Sequence, residues 1–255
     1  LADLVWAGRI GFHAIAGLGV AQTFLMMTMT ARMGLDAGMR SMISRAVGAK
    51  NIEYANHVML QALTLTTMYS ALVVAIGMVL TYPLLRIMGL SDEIVSEAGP
   101  YMRIQFLAMA MMGYQRLTAG ALQSSGDSMT PLRAATVTRV THLVVSPILI
   151  FGIWWFPTFG LAGAAIANLI AQALGVGMNF RALVTGTSRL HLTFKGYYID
   201  WALIWRVVKV GVPASVTGAQ RAVSQLIVVS LVVPFGDVAL AAYALSRRAE
   251  NTVNH

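Results

Sequence analysis

Residues Tyr54–Leu85 form 32 consecutive positions without an Asp, Glu, Lys or Arg. That run exceeds the roughly 20 apolar residues that carry an α-helix across a bilayer. A second uncharged run, Val140–Phe180, holds 41 residues and is interrupted at Trp154-Trp155-Phe156-Pro157-Thr158-Phe159-Gly160. It reads as two spans joined by a short interfacial loop, because aromatic rings beside a turn suit the headgroup layer. Backbone placed in hydrocarbon must satisfy its own N–H and C=O groups. The expected fold is therefore all-α, a polytopic transmembrane helical bundle. Composition agrees, with 57% hydrophobic and 11% charged residues against about 25% charged in ordinary soluble domains.

The same reasoning divides the chain. Leu1–Gly8 reads as the tail of a first span, followed by spans at Ala14–Ala37, Ala55–Leu84, Pro100–Leu122, Thr130–Gly152, Leu161–Leu183 and Gly211–Val233. An eighth begins at Val238, and the chain reads as truncated at both ends. Ser124-Ser125-Gly126-Asp127-Ser128-Met129-Thr130-Pro131 is a strong breaker. Ser128 or Thr130 is the expected cap of the following helix, with Pro131 in its first turn. Thr185–Tyr198 is the longest polar linker, and Asp200–Val210 reads as an amphipathic lead-in lying on the membrane surface.

Net charge is +8, but no basic run or repeat exists, so nucleic acid is not an expected partner. The Lys and Arg residues instead carry topology. Arg40, Arg45, Lys50, Arg133, Arg181, Arg189, Lys195, Arg206 and Lys209 fall on one side, against Arg9, Arg86 and Arg103 on the other. This nine-to-three bias places the first set in the cytoplasm. The chain lacks cysteine, which excludes disulfides and thiolate metal sites. No metal-ligand cluster, nucleophile elbow or phosphate loop is present in the sequence, so no enzyme, metal or cofactor is expected. A weak repeat at an offset of 225 aligns Gly11–Leu18 with Gly236–Tyr243, three of eight pairs being identical. Chance in Ala/Gly-rich helices is the other reading. A true repeat would give six spans per copy, both copies facing the same way, with a site between the halves.

Ionisable groups at bilayer depth cost about 2.5–3.5 kcal/mol on insertion scales and need a reason to be there. They are Asp3, Arg32, Asp36, Arg116, Arg139, His142 and Arg221. Arg32 and Asp36 are four apart on one helix, where a self-neutralising local pair is the plainer reading. Arg116 and Arg221 can bond helix carbonyls or face a cavity. Arg139, His142 and Ser146 share one face of the fifth span, just before Pro147. Methionines in spans two and four, among them Met33, Met109 and Met112, either line an adaptable cavity or serve as ordinary core and lipid-facing residues.

Several motifs, in order, resemble the multidrug and toxic compound extrusion (MATE) family. They are Asp3-Leu4-Val5-Trp6-Ala7-Gly8-Arg9-Ile10-Gly11, Gly34-Leu35-Asp36-Ala37-Gly38 with Ser44-Arg45-Ala46-Val47-Gly48-Ala49, and above all Gly120 through Pro131. Pro147–Gly152, Phe159–Asn168 and Val210–Ala214 follow. The resemblance implies a six-helix N-lobe at residues 1–184, a cytoplasmic inter-lobe linker at 185–200 and the start of a C-lobe at 201–255. It implies a multi-pass protein of the inner (plasma) membrane that exports amphipathic, cationic small molecules in exchange for a cation, completed by a C-lobe from the rest of the chain. It maps the coupling site onto Asp3, His142, Ser146 and Asn168, with Arg32, Asp36, Arg116, Arg139 and Arg221 as a surrounding charge network. Where the family often has Asn and, four residues later, Asp in the fifth helix, this chain has His142 and Ser146, and Arg221 stands where a sodium-coupled branch has Glu. One acid beside an imidazole suits a proton better than sodium, which remains the alternative ion. The rival readings are a lipid-linked oligosaccharide flippase of related architecture and, more remotely, a seven-helix receptor or channel.

Overall fold

The computed structural model describes residues 32–87, 92–152, 157–186 and 188–232. Among them all regular structure is helical. Helix α1 covers residues 32–48. It is followed by α2 (Ile52–Ile87), α3 (Asp92–Ser124), α4 (Met129–Phe151), α5 (Gly160–Thr185) and α6 (Trp201–Val232). These are spans two to seven of the sequence reading. The first and eighth spans, with both segments of the weak repeat, lie outside the described residues.

Among the described residues, three segments are long and apolar enough to cross a membrane: Ile52–Pro83, Met129–Phe151 and Ala162–Thr185, with mean hydropathies of 2.0, 1.5 and 1.3. Helix α3 falls short because it carries Arg103, Gln105, Gln115 and Arg116. Its position explains why it can. It packs along α5 and α2 and touches α4, so its polar side chains face protein. Helix α4 is peripheral and exposes Leu132, Val140, Leu143 and Val144, as a lipid-facing surface does. Left-handed glycines stop two helices. Gly152 (φ 65°) ends α4 and Gly186 (φ 70°) ends α5, each returning its N–H to a carbonyl four residues back.

Helix ends depart from the sequence reading. Helix α1 runs on to residue 48, so Arg40 and Arg45 sit on the helix and the loop shrinks to residues 49–51. Ser128 makes no capping bond to α4. Asp127 does the capping, its Oδ1 accepting from the backbone N–H of Met129 at 3.1 Å and of Thr130 at 3.0 Å. Burial alone would push the Asp127 carboxyl up. The bonds from Thr130 and Met129, with Arg133 nearby, outweigh it and hold the group below the usual carboxylate range.

The surface lead-in and the seventh span are one helix of 32 residues, with Pro213 inside it. Leu203, Ile204 and Val207 are buried rather than laid on a membrane surface. Helix α6 meets α1 backbone to backbone. A methyl group on Gly34 would strike the carbonyl oxygen of Gly211, and one on Gly38 that of Val207. Small residues at this spacing are what let membrane helices approach so closely.

The polar linker is seated rather than loose. Asn56 donates to the Thr193 carbonyl at 2.8 Å and accepts from its N–H at 3.1 Å. Gln61 does the same further along, donating to the Tyr198 carbonyl at 2.6 Å and accepting from the Asp200 N–H at 3.1 Å. Leu190 and Leu192 join the buried cluster of Met39, Ile43, Val58 and Leu122 at this end of the bundle. The Leu203 N–H and then His57, 3.5 Å away, hold the Asp200 carboxyl below its ordinary range.

Candidate functional site

Helices α1, α3, α4 and α5 enclose a cavity of about 560 Å³, within the usual size of a small-molecule site. Three guanidinium groups line it, those of Arg40 on α1, Arg116 on α3 and Arg139 on α4. Gln115, Gln123, Thr138, Gln172 and Asn179 add amides and a hydroxyl, and Met112, Pro131, Leu132 and Ala135 add an apolar wall. Among the described residues, no Asp, Glu or His belongs to the lining. From Ser128 to Arg139 the α4 lining advances about 16 Å at 1.5 Å per residue, half the hydrocarbon thickness. The cavity therefore runs inward from the α3–α4 turn, which the Lys and Arg bias assigns to the cytoplasmic side.

The guanidinium groups of the three arginines make no hydrogen bond or ion pair with another described residue. The amides are similarly unfulfilled. Asn179 is wholly buried, and neither its Nδ2 nor its Oδ1 has a partner; Gln172, 7% exposed, has an unpartnered Oε1. Buried polar atoms rarely stay unpaired in folded proteins, so a group of them on a cavity wall asks for a ligand or water. Gln115 and Thr138 are tied together at 2.9 Å. Gly175 lets α5 close on that pair, since a methyl group there would collide with both side chains.

Arg32 sits under opposite conditions. It donates to the Gly113 carbonyl at 2.7 Å and to Thr66 Oγ1 at 3.4 Å. Its Nε lies 3.8 Å from Asp36, and its guanidinium is 5.9 Å from the centre of the Tyr69 ring. The void beside it is only about 20 Å³, room for little more than one water. Arg116 borders this void as well as the large cavity.

Of the residues singled out in the sequence, Arg116 and Arg139 line the cavity and Arg32 pairs with Asp36. Asn168 donates to Gln105 at 3.4 Å and accepts from Gln172 at 3.5 Å, which joins it to the cavity wall. His142 lies half-buried one turn beyond Thr138 and Arg139 on α4. Ser146 is fully buried and its Oγ makes no hydrogen bond, so it is not joined to Asn168. Asp3 and the side chain of Arg221 lie outside the described residues. Sequence reasoning missed Arg40, Gln115, Gln172 and Asn179. A signal existed, because Asn168, Gln172, Gly175 and Asn179 fall at i, i+4, i+7 and i+11 and so share one helical face.

Membrane-length helices around a cavity of this size define a polytopic membrane protein. The MatE family model matches residues 1–148, more than half the sequence, and the chain belongs to that family. The probable multidrug resistance protein YoeA of Bacillus subtilis is 28% identical, covering 99% of this chain and 56% of its own length. A protein of Shewanella oneidensis named FAD transporter is 22% identical with the same coverage. Among solved structures, the Vibrio cholerae MATE transporter VcmN in the bent form superposes with a TM-score of 0.87 at 23% identity, over 98% of this chain and 56% of that one. A MOP superfamily transporter from Pyrococcus furiosus, described as having reverse polarity of its binding pocket, gives 0.83 at 22% identity over 98% and 55%. The chain thus spans about half the length of the relatives it matches.

Proposed function

We propose that these residues form the N-lobe, linker and first C-lobe helix of a secondary active antiporter of the inner membrane, which exports amphipathic small molecules against an inward flow of protons. The observation that carries this reading is the cavity. A chamber of about 560 Å³ with polar groups on its wall reaches to mid-bilayer inside a bundle of apolar helices, and a chamber open to one side and ending near the midplane suits alternating access. Family membership and the transporter relatives support it. A proton rather than sodium is the coupling ion, because Asp3 is the single carboxylate that the resemblance assigns to the coupling site, with His142 as its titratable neighbour. Protonation of Asp3 would remove one charge and shift a two-state equilibrium between cargo-binding and cargo-releasing forms.

The test uses the full-length protein in proteoliposomes under an imposed pH gradient, with a sodium gradient as control and fluorescent ethidium and flavin mononucleotide (FMN) as cargo. Proton-driven movement of either dye is expected. Asp3→Asn should fold and bind cargo yet lose the response to the pH gradient. Undiminished proton-driven export by a well-folded Asp3→Asn protein removes Asp3 from the coupling role, and export driven by sodium alone moves the coupling ion to the alternative.

A further inference from the structure

We propose that the cavity is an anion site, and that its cargo is a small organic molecule carrying a phosphate or carboxylate on an apolar or aromatic body. This assignment rests on the transport reading for its word "cargo" but not for the binding site itself. The family resemblance leads one to expect cations; the lining argues for the opposite sign.

The charge arithmetic comes first. Arg40, Arg116 and Arg139 bring three positive charges to one chamber. Asp36 lies in electrostatic range of Arg40 and Arg116 but is already engaged by Arg32 at 3.8 Å. A cationic cargo would add a fourth positive charge to the chamber. An anion would relieve the three, and a guanidinium is the side chain best shaped to hold a phosphate or carboxylate through two parallel hydrogen bonds.

The orphaned amides point the same way. Asn179 offers two N–H donors from a wholly buried position with no acceptor among the described residues to receive them. Its Oδ1, with Gln172 Oε1, leaves acceptors for hydroxyl or amine groups on the rest of the molecule. Met112 and Leu132 supply the apolar face against which a ring can lie. Arg116 and Arg139 are the anion-holding pair, since they line the chamber from two helices and neither has another partner among the described residues.

The same chemistry could be met by a soluble organic anion or by the headgroup of an anionic lipid, and the experiment separates them. Full-length protein is placed in phosphatidylcholine nanodiscs and titrated with FMN, with riboflavin, which has the same ring system without the phosphate, and with ethidium. FMN is expected to bind about tenfold or more tightly than riboflavin, the worth of a charge-assisted hydrogen bond, and to weaken with added salt. Arg116→Gln and Arg139→Gln should each weaken FMN about tenfold while leaving riboflavin within about twofold, and Arg116→Lys should retain part of the preference. Should Arg116→Gln not fold, the exposed Arg139 carries the test. Loss of FMN affinity when phosphatidylglycerol is added assigns the site to lipid headgroups as well; unchanged affinity assigns it to soluble anions. FMN binding no tighter than riboflavin, ethidium binding tightest of the three, or indifference of FMN to both glutamine substitutions overturns the proposal. A protein with the expected FMN signature that moves no dye under a pH gradient loses the transport reading and keeps the anion site.

Discussion

The two sides of α3 solve the problem of a membrane-buried arginine in opposite ways. Toward α1 and α2, Arg32 is spent: the Gly113 carbonyl, Thr66, Asp36 and the Tyr69 ring surround it, and almost no space remains. Toward α4 and α5, Arg116 and Arg139 face an open chamber and touch no partner among the described residues. The same residue type therefore serves as mortar on one side and as an unmet demand on the other. Identity and depth do not separate the two cases; only the number of satisfied donors does. A buried pair stripped of one member leaves a stranded charge, whereas a cavity arginine can be removed without stranding anything.

The largest expected effect breaks the closed side. Arg32→Ala in the full-length protein should cost about 3–5 kcal/mol by leaving Asp36 without its closest partner, seen as a collapse of folded yield or of the thermal unfolding midpoint in detergent. The double variant Arg32→Met with Asp36→Asn should recover most of that loss. Recovery would show that the stranded carboxylate, rather than lost packing, is the cause.

Bulk added on each side sharpens the contrast. A side chain at Gly113 would run into the Arg32 guanidinium, so Gly113→Val should destabilise by about 1–3 kcal/mol. Ala119→Leu, on the cavity side of the same helix, should change stability by less than about 0.5 kcal/mol while obstructing FMN binding. Equal unfolding midpoints for the two variants would erase the distinction between the sides.

An effect smaller than that at Gly113 lies at the mouth of the chamber. Asp127→Ala removes the α4 cap and should cost up to about 1 kcal/mol, reduced by the exposure of this turn. A carboxylate whose folded pKa lies below its unfolded value of about 3.9 stabilises above that value and loses its contribution as pH falls through the folded one. Midpoints of the wild type and the variant, separate at pH 7, should therefore converge in strong acid. A gap unchanged at low pH would assign the effect to something other than the ionised cap.

Hydropathy made α2, α4 and α5 legible because each keeps a high mean hydropathy over a membrane-length run. It misplaced the ends of α1 and α3 for a physical reason: hydropathy reports where hydrocarbon ends, not where a helix ends. The α1 turns beyond Ala37 and the α3 turns before Pro100 continue past the apolar zone. Arg116 and Arg139 stood out because a charge at depth is costly. Asn179 and Gln172 did not, because a neutral amide is cheaper to insert and says nothing about topology. Whether a buried arginine is satisfied depends on neighbours 30 to 80 positions away, as with Thr66 and Gly113 around Arg32, and single-sequence reading has no access to those.

The seated linker separates two properties usually taken together, covalent continuity and mechanical attachment. Its exposed tip is the turn at Lys195-Gly196, open to a protease or to an engineered break. A cut there leaves Leu190, Leu192 and Thr193 held on the upstream fragment by burial and by Asn56. Tyr198 and Asp200, on the downstream fragment, stay bonded to Gln61, and α6 stays pressed against α1. The two pieces of a nicked molecule would thus remain one particle, and a protein expressed as two polypeptides divided at this turn has the contacts needed to reassemble.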